Sequence, residues 1–321
     1  DFQGSRGLGD VYKRQEHYHH FNAGELSRCA SSLKEFLDEG GRLIVTLAGA
    51  MSTAQIGRSL GPAIKSQKVH AICCTGANLE EDIFNLVARS KYEEILDWRQ
   101  LSPMDEERLR NRGMNRVTDV ALPEDVFREI EEGLMSLWQD ASEVGDRRFP
   151  HEYLYDLLIH GESEFDIDPE KSWLACAADA NLPIFTPGWE DSTLGNILAA
   201  RVLDRTVKDS SIIKGGLEAM QALADWYRED DSPTGILQVG GGIAGDFAIS
   251  VVPMLRQDVG LDVPRWAWFG QISESRPSYG GYSGAPPNEK ISWDKLDVST
   301  PKFVIESDAT IVLPLLLSLL E

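Results

Sequence analysis

LIVTLAG at residues 43–49, followed by VHAICCTG at residues 69–76, decides the fold. Each is a short apolar run closed by small residues, the pattern of a strand buried on both faces. Between them, residues 56–64 space their apolar side chains as a helix does. A second helix opens at EEDIFNLVA, residues 80–88. Strand, small-residue turn and helix, repeated, is how a parallel sheet with helices on both faces is written in sequence.

The same alternation continues in both directions. Residues 23–39 predict a helix with Leu26, Cys29, Leu33 and Phe36 on one face, stopped by Gly40 and Gly41. Further strands are expected at 182–187, 235–241, 265–272 and 302–307, and amphipathic helices at 124–142 and 205–229. The polar, acidic segment 144–170 reads as an irregular surface excursion. No internal repeat or low-complexity linker breaks the order. The expectation is an α/β fold, one single doubly wound, mostly parallel sheet over residues 16–321. Residues 1–15, DFQGSRGLGDVYKRQ, lack any period and resemble translated adapter sequence, so they read as a non-native or disordered leader. In such folds ligands sit beyond the carboxyl ends of the strands.

A chain of 321 residues, 42% of them hydrophobic, can bury a large core, which excludes disorder as the main state. Its 31 basic and 52 acidic residues give a formal net charge of -21. That surface repels nucleic acid and anionic membranes and attracts cations, polyamines among them; ordinary acidity of a soluble protein accounts for it equally. The closing run ATIVLPLLLSLL contains Pro314 and is too short to span a bilayer, so a buried helix is expected there. No signal peptide is visible. Cys29, Cys73, Cys74 and Cys176 lack paired-ligand spacing and read as core thiols of a cytoplasmic protein. No metal cluster stands out, and no G-x-S-x-G elbow marks a hydrolase. His70, inside an apolar strand, reads as a satisfied core histidine.

Four turns place small, hydroxyl or acidic residues just after a strand: 49–53 (GAMST), 75–82 (TGANLEED), 191–196 (DSTLGN) and 240–246 (GGGIAGD). Each could present backbone N–H groups at a helix start, where a pyrophosphate is well held, with Glu81 or Asp191 accepting from ribose hydroxyls. None fits G-x-G-x-x-G, and the glycines could equally serve close strand–helix packing. In NEKISWDKL, an extended segment would point Glu289, Trp293 and Lys295 to one side. A carboxylate, an indole and an amine together suit imine chemistry, provided an apolar wall lowers the lysine pKa from about 10.4. A solvated Lys295 beside a core Trp293 is the other reading.

The stretches TGANLEEDI, PGWEDSTLGNIL, VGGGIAGD, EKISWDKL and VIESDATIVLPLL resemble, in order and spacing, the motifs of the deoxyhypusine synthase family, from about Phe21 onward. The resemblance implies a Rossmann-like NAD enzyme, typically a homotetramer with active sites at dimer interfaces. Such an enzyme oxidises spermidine, captures an aminobutyl group on a lysine and passes it to an acceptor amine. It implies Lys295 as the nucleophile, Trp293 against the polyamine and Glu289 on an amine end. For NAD it implies Ser52, Thr75, Gly76, Ala77, Glu81, Asp191, Gly240, Gly241, Asp308 and Ala309.

The departures concern the amine pocket. The family has aspartate where this chain has Asn196, Tyr279 and Tyr282, and histidine at Asp246. Residues 273–277 lack the family's Asn-Thr-Ala motif, and one serine of the 49–52 turn is glycine. Each lost charge-assisted bond is worth roughly 1.5–3 kcal/mol. The pattern is similar to the bacterial deoxyhypusine synthase-like group. It leaves three readings: transfer to a protein lysine giving deoxyhypusine, a homospermidine synthase-type reaction with putrescine, or a non-catalytic NAD- or polyamine-binding relic.

Overall fold

In the computed structural model, residues 17–161, 164–277 and 280–320 are described. The two quoted stretches form β1 (Arg42–Leu47) and β2 (Ala71–Cys74), every residue of which is buried. Their side chains alternate between two cores. Leu43, Val45, Leu47, Ile72 and Cys74 join one, while Ile44, Ala71 and Cys73 join the other. Neighbouring Cys73 and Cys74 therefore lie on opposite faces of the sheet, as a period of two requires, and all four cysteines are buried thiols.

β6 (Ile184–Phe185), β7 (Thr234–Val239), β8 (Trp268–Ile272) and β9 (Lys302–Ile305) complete a six-stranded sheet in the order β6-β2-β1-β7-β8-β9. Every pairing is parallel. The strand order reverses between β1 and β7, and the turns leaving those two strands flank the crevice that a doubly wound sheet offers a ligand. The turns pack closely: Gly240 has φ +76°, and a Cβ there would lie 2.9 Å from the Ala48 Cβ. His70 stands half-buried one residue before β2, and its Nδ1 accepts from Leu43 N–H at 3.0 Å, so the imidazole is satisfied where the chain enters the sheet.

Among the helices are α1 (Phe21–Asp38), α2 (Gly57–Lys65), α3 (Gly76–Ala88), α4 (Pro103–Asn111), α5 (Asp125–Val144), α6 (Pro150–His160), α7 (Trp173–Asp179), α8 (Thr193–Leu203), α9 (Gly216–Arg228), α10 (Gly242–Ile249), α11 (Glu289–Ser292) and α12 (Ala309–Leu317). The apolar C-terminal run is the buried helix α12, Pro314 included. Among the described residues, no helix is long and apolar enough to cross a membrane.

Three features differ from the sequence reading. The supposed excursion at 144–170 contains α6, whose Tyr153, Leu154 and Leu157 are buried. Its helical spacing is masked by interleaved charges, and its start is fixed by Pro150 and by Glu152 accepting from Phe149 N–H at 2.5 Å. Residues 205–215 form no α-helix, only a 3-10 turn at Ser210–Ile212. The helix begins only at Gly216, where Glu218 accepts from Gly215 N–H at 2.9 Å. A second, antiparallel sheet was not anticipated: β3 (Glu93–Glu94), β4 (Met114–Val117) and β5 (Val120–Pro123), in the order β3-β5-β4. The leader at 1–15 lies outside the described residues.

Candidate active site

α3 begins where β2 ends, so the residues of TGANLEED lie on the first turns of a helix beside the switch-point crevice. Glu80 is 3% exposed and accepts from Thr193 N–H and Leu194 N–H at 2.8 and 2.7 Å, capping the start of α8. Asp82, 2% exposed, accepts from Ser172 Oγ at 2.5 Å and from Leu174 N–H at 2.9 Å, capping α7. Two of the three adjacent carboxylates thus hold helix N-termini, which favour negative charge. Glu81 is different. Its Oε2 is buried without a hydrogen-bond partner, as is the Oγ1 of Thr53 in the neighbouring turn. Burial first, and then the charge of Glu80, push the Glu81 carboxyl up to about 8, against a backbone bond from Thr53.

The turns are cross-tied by Asn78. Its amide donates to the carbonyls of Leu47, Ala48 and Gly49 at 3.2, 3.1 and 2.8 Å, and its oxygen accepts from Ser52 N–H at 3.0 Å. Ser52 is fully buried, and its hydroxyl accepts from the Trp173 indole at 2.9 Å. The Ser52 side chain is therefore committed to the interior behind the turn. Thr75 caps α3 and donates to Gly49 O at 2.7 Å. Gly76 lets α3 approach the next turn, since a Cβ there would meet Ser192 Cβ at 2.6 Å. Ala77 follows on the first turn of α3. Asp191 and Asn196 are exposed at the start of α8, where Asn196 Nδ2 donates to Ser192 O at 2.6 Å. Asp308 caps α12 by accepting from Thr310 N–H at 2.7 Å, and Ala309 is buried behind it. A cavity of about 700 Å³ opens between the 50–55 turn, the small sheet and the start of α12; Thr53, Arg89, Trp98, Asp308 and Thr310 are on its wall.

The lysine segment is not extended. Glu289 to Ser292 form the one-turn α11, so Glu289, Trp293 and Lys295 do not share a face. Asp294 N–H donates to Ile291 O at 3.0 Å and Lys295 N–H to Lys290 O at 3.1 Å. These two bonds, with Asp294 at φ +59°, make a Schellman helix ending with aspartate in the left-handed position. Trp293 is left 60% exposed and Lys295 only 3% exposed. The Lys295 carbonyl accepts from Trp266 N–H at 3.2 Å, which anchors the segment beside the start of β8.

Burial lowers the Lys295 amine to about 8, and the nearby Asp246 charge opposes that shift. The Trp293 ring centroid is 6.0 Å from Nζ. The alternative of a solvated Lys295 beside a core Trp293 is overturned on both counts: the lysine is buried and the indole is exposed. Asp246 sits about one turn along α10 from the Gly240-Gly241 turn, linking the glycine turn to the lysine. Desolvation raises its carboxyl to about 6, with Lys295 and Lys290 pulling the other way. Lys290, unanticipated from the sequence, is also 3% exposed; its Nζ donates to Ala285 O at 3.2 Å and lies 5.1 Å from the Phe269 ring centroid. Gly242 N–H donates to Ser283 Oγ at 3.0 Å, which brings the 280–284 loop over the glycine turn. Tyr279 lies outside the described residues, as does the side chain of Tyr282.

The structure therefore gathers Lys295, Lys290 and Asp246, with Trp293 at the rim and Glu289 exposed at the start of α11. A second grouping around the switch point contains Thr53, Thr75, Gly76, Glu81 and Gly240. Asn78, Glu80 and Asp82 were missed as determinants, although they stand in the very stretch that the reading singled out. Lys290 was missed because an extended segment would have put it on the face opposite Lys295. Among the described residues, no group of three or more His, Cys, Asp or Glu could hold a metal.

Comparison with known proteins agrees over nearly the whole chain. The chain is 29% identical over 309 residues to a deoxyhypusine synthase-like protein of Nostoc punctiforme, covering 92% of this chain and 75% of that one. It is 27% identical over 275 residues to a "Probable deoxyhypusine synthase 2" of Methanosarcina mazei, covering 85% and 74%. A crystal structure of a deoxyhypusine synthase candidate from Entamoeba histolytica superposes with TM-score 0.60 at 12% identity, over 96% of this chain and 92% of that one, which shows the shared fold. The deoxyhypusine synthase family model matches residues 11–320, and the chain belongs to that family.

Proposed function

We propose that this protein is an NAD-dependent aminoalkyl transferase that carries an aminobutyl group on Lys295. The observation that supports it best is the buried Lys295 amine, brought down to about 8 by desolvation. A neutral amine is the form that attacks an electrophilic carbon, and a solvated lysine at neutral pH is almost wholly protonated.

The residues suit NAD. Glu81 Oε2 and Thr53 Oγ1 are buried polar atoms without partners beside the switch point, and ribose hydroxyls would satisfy them. Thr75, Gly76, Ala77, Asp191, Gly240, Gly241, Asp308 and Ala309 would shape the rest of the site, with Ser52 bracing its turn from behind. Bound NAD would supply a hydride acceptor for the secondary amine of spermidine and a donor for the final reduction. The chain's own task is the transfer. Lys295 Nζ adds to the substrate imine carbon, the C–N bond to diaminopropane breaks, and the departing nitrogen takes up a proton. The aminobutyl group remains as an imine on Lys295. Asp246 is placed to hold a cationic nitrogen or to accept the proton that Lys295 sheds. An acceptor amine then displaces Lys295.

The acceptor is either a protein lysine, giving deoxyhypusine, or a small diamine such as putrescine, giving homospermidine. We favour the small amine as acceptor, because the amine pocket is altered at Asn196, Asp246 and the buried Lys290 while Lys295 is kept. Incubation with NAD and spermidine followed by borohydride should add a butylamine mass at Lys295. Absence of that adduct with every polyamine tried removes the proposal, and product analysis with and without putrescine separates the acceptors.

A further inference from the structure

We propose that Asp294 is the positioning residue of the lysine loop: its left-handed backbone, held by Arg256 and Arg265, turns Lys295 into the interior while Trp293 stays outside. This rests on the reading of Lys295 as the reactive amine. A non-glycine residue at φ +59° is strained, and aspartate is one of the few side chains that tolerates the region. The conformation is secured through the carboxylate. Oδ2 accepts from Arg256 Nε at 2.8 Å and Oδ1 from Arg265 Nε at 2.6 Å. Both guanidiniums are anchored elsewhere, Arg256 on Val263 O and Arg265 on Asp297 at 3.1 Å. Burial alone would raise the Asp294 carboxyl, but the bonds from Arg256 and Arg265 outweigh it and leave it below the usual carboxylate range. The clamp is therefore ionised at working pH.

The consequence falls on the neighbouring side chains. Residues 293 and 295 flank a left-handed residue and diverge, one 60% and the other 3% exposed. Without the clamp, α11 would unwind or continue, and Lys295 would be freed from the environment that keeps it neutral. Asp246, on α10, is the charged group that acts on Lys295. Lys290, on α11, acts on Asp246 in turn.

The test reads the amine without any polyamine. The intact protein is reductively methylated with formaldehyde and cyanoborohydride over a pH series, and modification of Lys295 is followed by mass spectrometry. The wild type should show a midpoint at about 8. Asp294→Ala should move it upward by about one unit or more, toward the 10.4 of a solvated lysine. The double variant Arg256→Gln/Arg265→Gln should do the same, and it decides the matter where Asp294→Ala does not fold. A purely structural Asp294 would lower the melting temperature and leave the midpoint in place; an unmoved midpoint in a folded variant overturns the proposal. Polyamine transfer can fail while the midpoint still responds to the clamp, so the two ideas fail separately.

Discussion

At Lys295, burial lowers the amine to about 8 and Asp246 limits the fall. At pH 7 roughly a tenth of the amine is then neutral, rising to about nine-tenths at pH 9. Trapping of an aminobutyl group on Lys295 should therefore increase about tenfold over that interval and level off, whereas a solvated lysine would keep gaining above pH 10. A flat pH–rate profile under single-turnover conditions would exclude Lys295 as the group that titrates. Glu81 makes the complementary prediction. Its folded-state carboxyl is raised from 4.5 to about 8, so the folded protein is penalised for ionising it. The penalty is absent below about 4.5, grows between there and 8, and is complete above 8. Glu81→Gln should thus stabilise the free protein at pH 8 by about 1–2 kcal/mol in denaturant titration, an effect that vanishes near pH 4. Glu81→Leu, which removes the acceptor, should reduce the thermal shift caused by added NAD. Loss of stability at pH 8, or an intact NAD shift, would contradict the role given to the orphaned oxygen.

At the scale of elements, α3 shows why neighbouring acids take different parts. Successive residues on a helix point about 100° apart, so Glu80, Glu81 and Asp82 face α8, the crevice turn and α7 in sequence. Burial raises the Glu80 carboxyl, so its charge is not what holds α8. Glu80→Gln keeps one acceptor and turns an N–H donor toward the other backbone N–H, which should cost about 1–2 kcal/mol at neutral pH, read as a lower denaturant midpoint at unchanged slope. An unaltered midpoint would mean that α8 does not depend on this cap. The parallel strands and α3 were legible because buried apolar runs and turn residues are local signals. α6 was hidden by charges between its apolar positions. The lysine segment was misread because alternation over 289–295 takes no account of Asp294 at positive φ, a conformation imposed by Arg256 and Arg265 from far along the chain. The carboxylates at 80 and 82 were visible as residues, but their partners at 172, 174, 193 and 194 exist only once the helices pack.

For the molecule as a whole, the order of six parallel strands sets the crevice beyond β1 and β7, and Asp246 on α10 ties the glycine turn of that crevice to Lys295. Leu96, Ile243 and Ile311 are 87%, 51% and 60% exposed on or beside elements that follow the strand ends, and Trp293 is exposed on the lysine loop. Large exposed apolar side chains invite a cover, since burying each is worth roughly 1.5–3 kcal/mol. A second copy of the chain is the economical cover, since a two-fold contact buries each such residue twice. Light scattering after size exclusion should then give a mass that is a multiple of 35.6 kDa. Ile311→Asp, placing a charge on that face without disturbing the buried side of α12, should lower the mass and the yield of Lys295 adduct together. A wild-type protein that runs at the mass of one chain and still forms the adduct would show that one subunit holds the whole site.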